Sequence, residues 1–142
     1  MLAIALLSIM SVKAQTFVCT DVTFSDYAKK RVDQSYRYQL KKRLLGSTCT
    51  IEVFDNNLKF EATDTEGNKE EYIYTKIGLN KYRFEDTMTD YDNYNYLRHT
   101  YNTWKLRTDI EIQTVFGYYS SITVKQYRDG NLLQTTTAKR KK

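Results

Sequence analysis

One short stretch, from Asp90 to Tyr101, concentrates the side chains that could do chemistry. Tyr91, Tyr94, Tyr96 and Tyr101 are interleaved with Asn93 and Asn95. Tyrosine offers a flat amphipathic face at low entropic cost, and asparagine supplies both a donor and an acceptor. That is the chemistry of an adaptable binding loop, and it also suits stacking against sugar rings. A strand whose tyrosines cover a barrel rim would show the same composition. Asp90 and Asp92 suit the first and third positions of a calcium-binding loop. Tyr94 spoils the fifth position and Asn95 replaces the sixth-position glycine, so no metal site is assigned. Asp and Asn also favour turns on their own account.

Catalytic constellations are sparse. His99 is the single histidine, so no second one exists to complete a zinc set. A Ser-His-Asp set assembles in space and not in sequence. No nucleophile elbow is present, however, because Gly117 is followed by Tyr118-Tyr119-Ser120-Ser121. Glu70 and Glu71 are adjacent, and adjacent residues on a strand point to opposite faces, which makes that pair a poor candidate for concerted acid–base work. The sequence therefore points to a protein that is not an enzyme and needs no cofactor. Binding of a glycan or protein partner through Tyr91, Asn93, Tyr94, Asn95, Tyr96 and Tyr101 is the first expectation. A carrier of a small apolar ligand is the alternative, and a small hydrolase is third.

The compartment comes from the other end of the chain. Leu2 to Met10 is an almost unbroken apolar run, followed by Val12-Lys13-Ala14. Small residues three places and one place before Gln15 mark residues 1–14 as a signal peptide. The run is shorter than the roughly 20 apolar residues that span a bilayer. Export, to a periplasm or to the outside, is the expectation. In that setting Cys19 and Cys49, the two cysteines, are expected to pair as a disulfide. The net charge is +5 and uneven, with an acidic middle between basic ends. Lys139-Arg140-Lys141-Lys142 forms a basic tail after a domain of residues 15–138. Nucleic acid would be the natural partner of such a tail in a cytoplasmic protein, but export argues against it. A membrane-embedded barrel is disfavoured too, because Glu52, Lys59, Glu61 and Arg83 would have to face lipid.

The elements that must position these residues read as strands. The chain has 13 tyrosines and no proline, with no visible linker. Tyr and Thr fit a pleated, half-buried surface. Cys49, Ile51 and Val53 alternate with polar neighbours up to Asp55-Asn56, a pair suited to a tight hairpin. That turn sets Val53 opposite Leu58, Ile51 opposite Phe60 and Cys49 opposite Ala62, with Glu52 beside Lys59. A two-residue turn at Gly67-Asn68 would then set Ala62 opposite Ile73, Phe60 opposite Thr75 and Leu58 opposite Ile77. A third turn at Leu79-Asn80 would place Ile77 by Tyr82 and Thr75 by Phe84. Leu58, Phe60, Ile73, Ile77 and Phe84 should point inward, and Tyr72 and Tyr74 outward. Farther on, Ile110 and Ile112 share a face, Gly117 permits a turn, and Asp129-Gly130 is a strong hairpin signal that sets Gln126 opposite Leu133. Between Ser25 and Gly46 two periods compete. Residues 26–33 read as irregular or briefly helical and 35–42 as a strand.

The opening from Thr16 to Phe24, the pair Tyr36 and Tyr38, and the hairpin from Ile51 to Phe60 resemble small exported bacterial all-β proteins of unknown function. More loosely the meander resembles lipocalin-like barrels, although the only tryptophan, Trp104, is late and no Gly-x-Trp stands near the start. Neither resemblance implies a catalytic residue. The expected fold is all-β: an antiparallel meander of about eight to ten strands closing into a small barrel or sandwich.

Overall fold

The structure, a computed structural model, describes residues 14–92 and 100–141. Apart from Ala14, the expected signal peptide lies outside the described residues. Among the described residues eight antiparallel strands follow one another as neighbours, and the last pairs with the first to close a barrel. They are β1 (Gln15–Phe24), β2 (Thr48–Phe54), β3 (Asn57–Thr63), β4 (Lys69–Gly78), β5 (Lys81–Asp92), β6 (Thr100–Val115), β7 (Tyr118–Arg128) and β8 (Asn131–Arg140). Two helices, α1 (Asp26–Arg31) and α2 (Gln34–Leu44), fill the connection from β1 to β2. The fold class is the one expected. The last strand also takes in Lys139 and Arg140, which pair with Val18 and Phe17 of β1.

Ser25 starts α1 as its sequence position suggests: its hydroxyl accepts a hydrogen bond from the Ala28 amide at 3.1 Å. The same hydroxyl donates to the Leu132 carbonyl of β8. The strand expected over 35–42 is instead the body of α2. A strand there would leave its backbone groups without a partner, whereas a helix satisfies them internally. Gln, Arg, Lys and Leu are also good helix formers. Tyr36 and Tyr38, whose alternation suggested a strand, are exposed. Basic residues Lys41, Lys42 and Arg43 lie in the last turn, where the helix dipole favours them. The chain then turns at Gly46, whose φ of +83° suits glycine.

The β2–β3 hairpin has the expected register, with Val53 opposite Leu58, Ile51 opposite Phe60, Cys49 opposite Ala62 and Glu52 opposite Lys59. Asp55 takes the positive φ, +51°. The next hairpin corrects the sequence reading. Its loop is not Gly67-Asn68 alone but the whole of 64–68, because Thr63 pairs with Lys69. Asp64 closes this loop: its carboxylate accepts from the backbone amides of Glu66 and Asn68, each at 2.9 Å. The register moves by three residues, so that Leu58 faces Tyr74, Phe60 faces Tyr72 and Ala62 faces Glu70. An odd shift exchanges the two faces of a strand. Tyr72 and Tyr74 therefore turn inward, while Ile73 and Ile77 are 48% and 49% exposed. The turn at Leu79-Asn80 is present, but a bulge at Ile77 separates the Gly78–Lys81 pair from Lys76–Tyr82. That second odd step restores the phase, and Tyr82 and Phe84 face the core as expected. The β4–β5 ladder ends at Thr75–Arg83, whereas β5 and β6 stay paired from Lys81–Glu111 to Asp92–Thr100.

A similar bulge alters the last hairpin. Asp129-Gly130 is the turn, yet Gln126 faces Gln134 rather than Leu133. Leu133 is the extra residue, and its carbonyl accepts the Ser25 amide at 2.9 Å. The disulfide is also corrected. Cys49 faces Phe17 across β1–β2, and Cys19 lies two positions farther on, its amide donating to the Ser47 carbonyl. The cysteines are thus diagonal neighbours on one face. Such neighbours stand about 7–8 Å apart, beyond the usual span of a disulfide. Both thiols are free.

The core divides along the barrel axis. One end carries the turns at Asp55-Asn56, Leu79-Asn80 and Phe116-Gly117 and is packed by Phe17, Ile51, Leu58, Tyr82, Ile110 and Ile112. The other end carries the helices, the 64–68 loop, the Asp129-Gly130 turn and the long β5–β6 hairpin.

Candidate functional site

That second end is hollow. A cavity of about 170 Å³ lies within it, lined by side chains from every strand. Ile122 and Tyr74 border it from the buried core, with Cys19, Cys49, Ala62, Thr108, Val124, Thr136 and Ala138 along the walls. Leu44 at the end of α2, Ser47, Thr48, Phe60, Glu70, Tyr72, Phe84, Leu106, Gln126 and Gln134 complete the lining. The void has a local cause. Alanine, threonine and cysteine occupy inward positions where the packed end has phenylalanine, leucine and isoleucine. An eight-stranded barrel is just wide enough for its side chains to fill, or to hold one small ligand. A cavity of about 150 Å³ holds a benzene ring, so this one has the size for a single-ring molecule.

Four aromatic rings run along one side of the cavity. Tyr74 lies 5.9 Å from Phe60 and 5.8 Å from Phe84, and Phe84 lies 5.1 Å from Tyr72, centroid to centroid. All three pairs are tilted, within the range where aromatic rings attract. They sit where β4 and β5 have ceased to pair in the backbone, so the rings close the wall there. The buried hydroxyls of Tyr74 and Thr108 hydrogen-bond each other. Burial holds the Tyr74 phenol above its ordinary range, and burial together with Glu70 and Asp86 does the same for Tyr72.

The two thiols are poor nucleophiles. Burial pushes Cys49 up to about 12, with the neighbouring Cys19 adding to the rise. Burial raises Cys19 as well, and its thiol donates to the Asp21 carbonyl at 3.7 Å, a bond that only the protonated form makes. A thiol held protonated does not attack. Among the described residues no group of three or more His, Cys, Asp or Glu side chains could hold a metal ion.

A second, wider concavity of about 420 Å³ opens where the β5–β6 hairpin leaves the barrel beside Asp129-Gly130. It is lined by charges of both signs, Glu85, Asp86, Lys105, Arg107 and Asp129. Asp129 ties it together by accepting the Lys105 amide at 2.9 Å. An open polar groove excludes little water and so gives an apolar molecule little to gain.

The residues expected to form a binding loop are reached only in part. Tyr91 and Tyr101 are backbone partners near the tip of the β5–β6 ladder. Asp90 and Asp92 also stand in that ladder, opposite Asn102 and Thr100. Asn93, Tyr94, Asn95, Tyr96 and His99 lie outside the described residues. Cys19 and Cys49, chosen as a disulfide, are walls of the cavity instead. Sequence reasoning missed the aromatic side of the cavity. Its signal was present in the alternation of Tyr72 and Tyr74, but the two-residue turn placed that pair on the wrong face. Among the described residues no helix is long and apolar enough to cross a membrane. No protein-family model matches the chain, and no curated protein matches it.

Proposed function

We propose that this is an exported, non-catalytic binding protein that holds a small, largely apolar molecule in the hollow end of its barrel. The observation that carries this reading is the uneven interior: one end is filled, while side chains from all the strands surround a cavity of about 170 Å³ at the other. Pockets for small molecules are concave and mostly apolar, with a few polar groups to fix orientation. Gln126, Gln134 and the Thr108 hydroxyl are such groups here. The buried, protonated thiols suit binding better than reaction.

The test is a titration with benzyl alcohol, followed by the melting temperature and by the methyl signals of Ile122 and Val124. Binding should raise the melting temperature as ligand exceeds its Kd and shift both methyls. Ala62→Leu, which fills the cavity, should abolish both effects without unfolding the protein. Unchanged binding in a folded Ala62→Leu protein would defeat the reading.

A second reading has its own support. The β5–β6 ladder runs on to Asp92–Thr100, whereas β7 ends at Arg128 opposite Leu106. The hairpin therefore projects past its neighbour, and in this reading the Tyr/Asn segment of residues 91–101 would contact a glycan or protein. Replacing Tyr91 and Tyr94 by Ala should then weaken capture of that partner by about 2 kcal/mol or more. His99→Ala should leave it unchanged.

A further inference from the structure

Resting on the cavity reading, we propose that the site takes a small organic ammonium cation, with its apolar part in the hollow end and its charged nitrogen at the mouth by Glu70, Tyr72 and Phe84. The chain carries 22 Lys and Arg residues and a net charge of +5, yet among the described residues not one basic side chain lines this cavity. The one charged residue among the described lining is acidic, Glu70. The register places Glu70 opposite Ala62, on the inner face, whereas the adjacent Glu71 lies on the outer face within 3.8 Å of Lys59.

The rings point to the same ligand charge. Phe60, Tyr74, Phe84 and Tyr72 form a continuous aromatic wall, and the face of an aromatic ring is its negative part. Aromatic walls around an alkylammonium group are a recurring device for recognising cations. Tyr72 is 39% exposed and so stands at the mouth, between interior and solvent. Glu70 and Asp86 both act on its phenol with negative charge. A carboxylate ligand would meet Glu70 with no basic group in the lining to balance it. A fatty acid is therefore the wrong cargo, and an amine attached to one ring is the right size and sign.

The experiment compares three ligands with the same ring and different charge: benzylammonium, benzyl alcohol and benzoate. Each is titrated by calorimetry into the full chain at low ionic strength. Benzylammonium should bind about tenfold tighter than benzyl alcohol, and benzoate should bind weakest. Glu70→Gln should bring benzylammonium to within about twofold of the alcohol. Glu71→Gln makes the same change of net charge on the outer face, and it should leave the order and the spacing intact. Benzoate or the alcohol binding as tightly as benzylammonium would overturn the charge assignment and leave the cavity reading standing. So would a preference that survives Glu70→Gln, or one lost equally in Glu71→Gln. Failure of all three ligands to bind would defeat the cavity reading and this one with it.

Discussion

The two ends of the barrel are built by the same strands with the same alternation, and they differ in what that alternation encloses. At the packed end three two-residue turns, each with a residue at φ between +50° and +56°, hold neighbouring strands close. Large side chains there meet across the axis. At the other end the connections are mostly longer, and alanine, cysteine and threonine hold several inward positions opposite the aromatic wall. A strand pattern specifies which side chains face in, but their volumes decide whether the interior is a core or a container. On the proposed reading, binding belongs to one half of the barrel and most of the close packing to the other.

The largest expected effect tests that division directly. Phe17 is fully buried in the packed end, and Phe17→Ala should cost about 4 kcal/mol in urea unfolding. Phe60 makes the same chemical contrast beside the cavity, where it is only partly buried, and Phe60→Ala should cost about 2 kcal/mol. Equal losses would mean that the ends do not differ energetically. Enlarging side chains sharpens the contrast from the opposite direction. Ile112→Phe, in the packed end, should cost about 1–3 kcal/mol through overpacking. Ala62→Leu should change stability by less than about 1 kcal/mol, since space is already there.

A pH titration gives the next smaller effect. Cys49 is held protonated in the fold, with its pKa raised from 9.0 to about 12. Its contribution is complete below pH 9.0, where the unfolded thiol is also neutral. It is lost as pH rises from there towards about 12, because only the unfolded thiol ionises. Cys49→Ala should flatten this alkaline fall, and iodoacetamide should label Cys49 of the native protein far more slowly than that of the unfolded chain. The smallest effect belongs to Asp64, whose carboxyl is held below 3.8, chiefly by the Asn68 side chain and amide. This group contributes stability above pH 3.8 that is lost as pH falls through the lower folded value. Asp64→Ala should thus be slightly less stable at neutral pH and indistinguishable from the parent in strong acid.

Much of the barrel was legible because tight turns carry their own chemistry. Asp55-Asn56 fixes the β2–β3 register, and Leu79-Asn80 and Asp129-Gly130 are turns in the structure as in the sequence. The β3–β4 register was not legible, because one side chain decided it. Asp64 gathers two amides and so converts a two-residue turn into a five-residue loop. The bulge at Leu133 was hidden for a similar reason, since its carbonyl accepts the Ser25 amide from outside its own hairpin. The helix over 34–44 was missed because Tyr36, Tyr38 and Leu40 satisfy both periods, and only the lack of a neighbouring strand decides between them. The cavity was the least legible feature. Ala62, Thr108 and Thr136 alternate as core residues do, and nothing local says that no large side chain reaches across to meet them.

The pairing of β1 with β8 governs how the protein comes into being. Phe17 meets Arg140, and the Lys141 amide donates to the Thr16 carbonyl at 3.0 Å, so the final seam joins the two most distant strands of the domain. During synthesis the meander can zip hairpin by hairpin from β2 onward, each step local and fast. Closure must wait for the last strand to emerge. Until then β1 offers a bare edge, the kind of surface on which chains associate wrongly. A seam of such long sequence separation is also slow to form. The ring of strands that encloses the cavity in the finished barrel makes its nascent chain one that needs guarding until the last strand arrives.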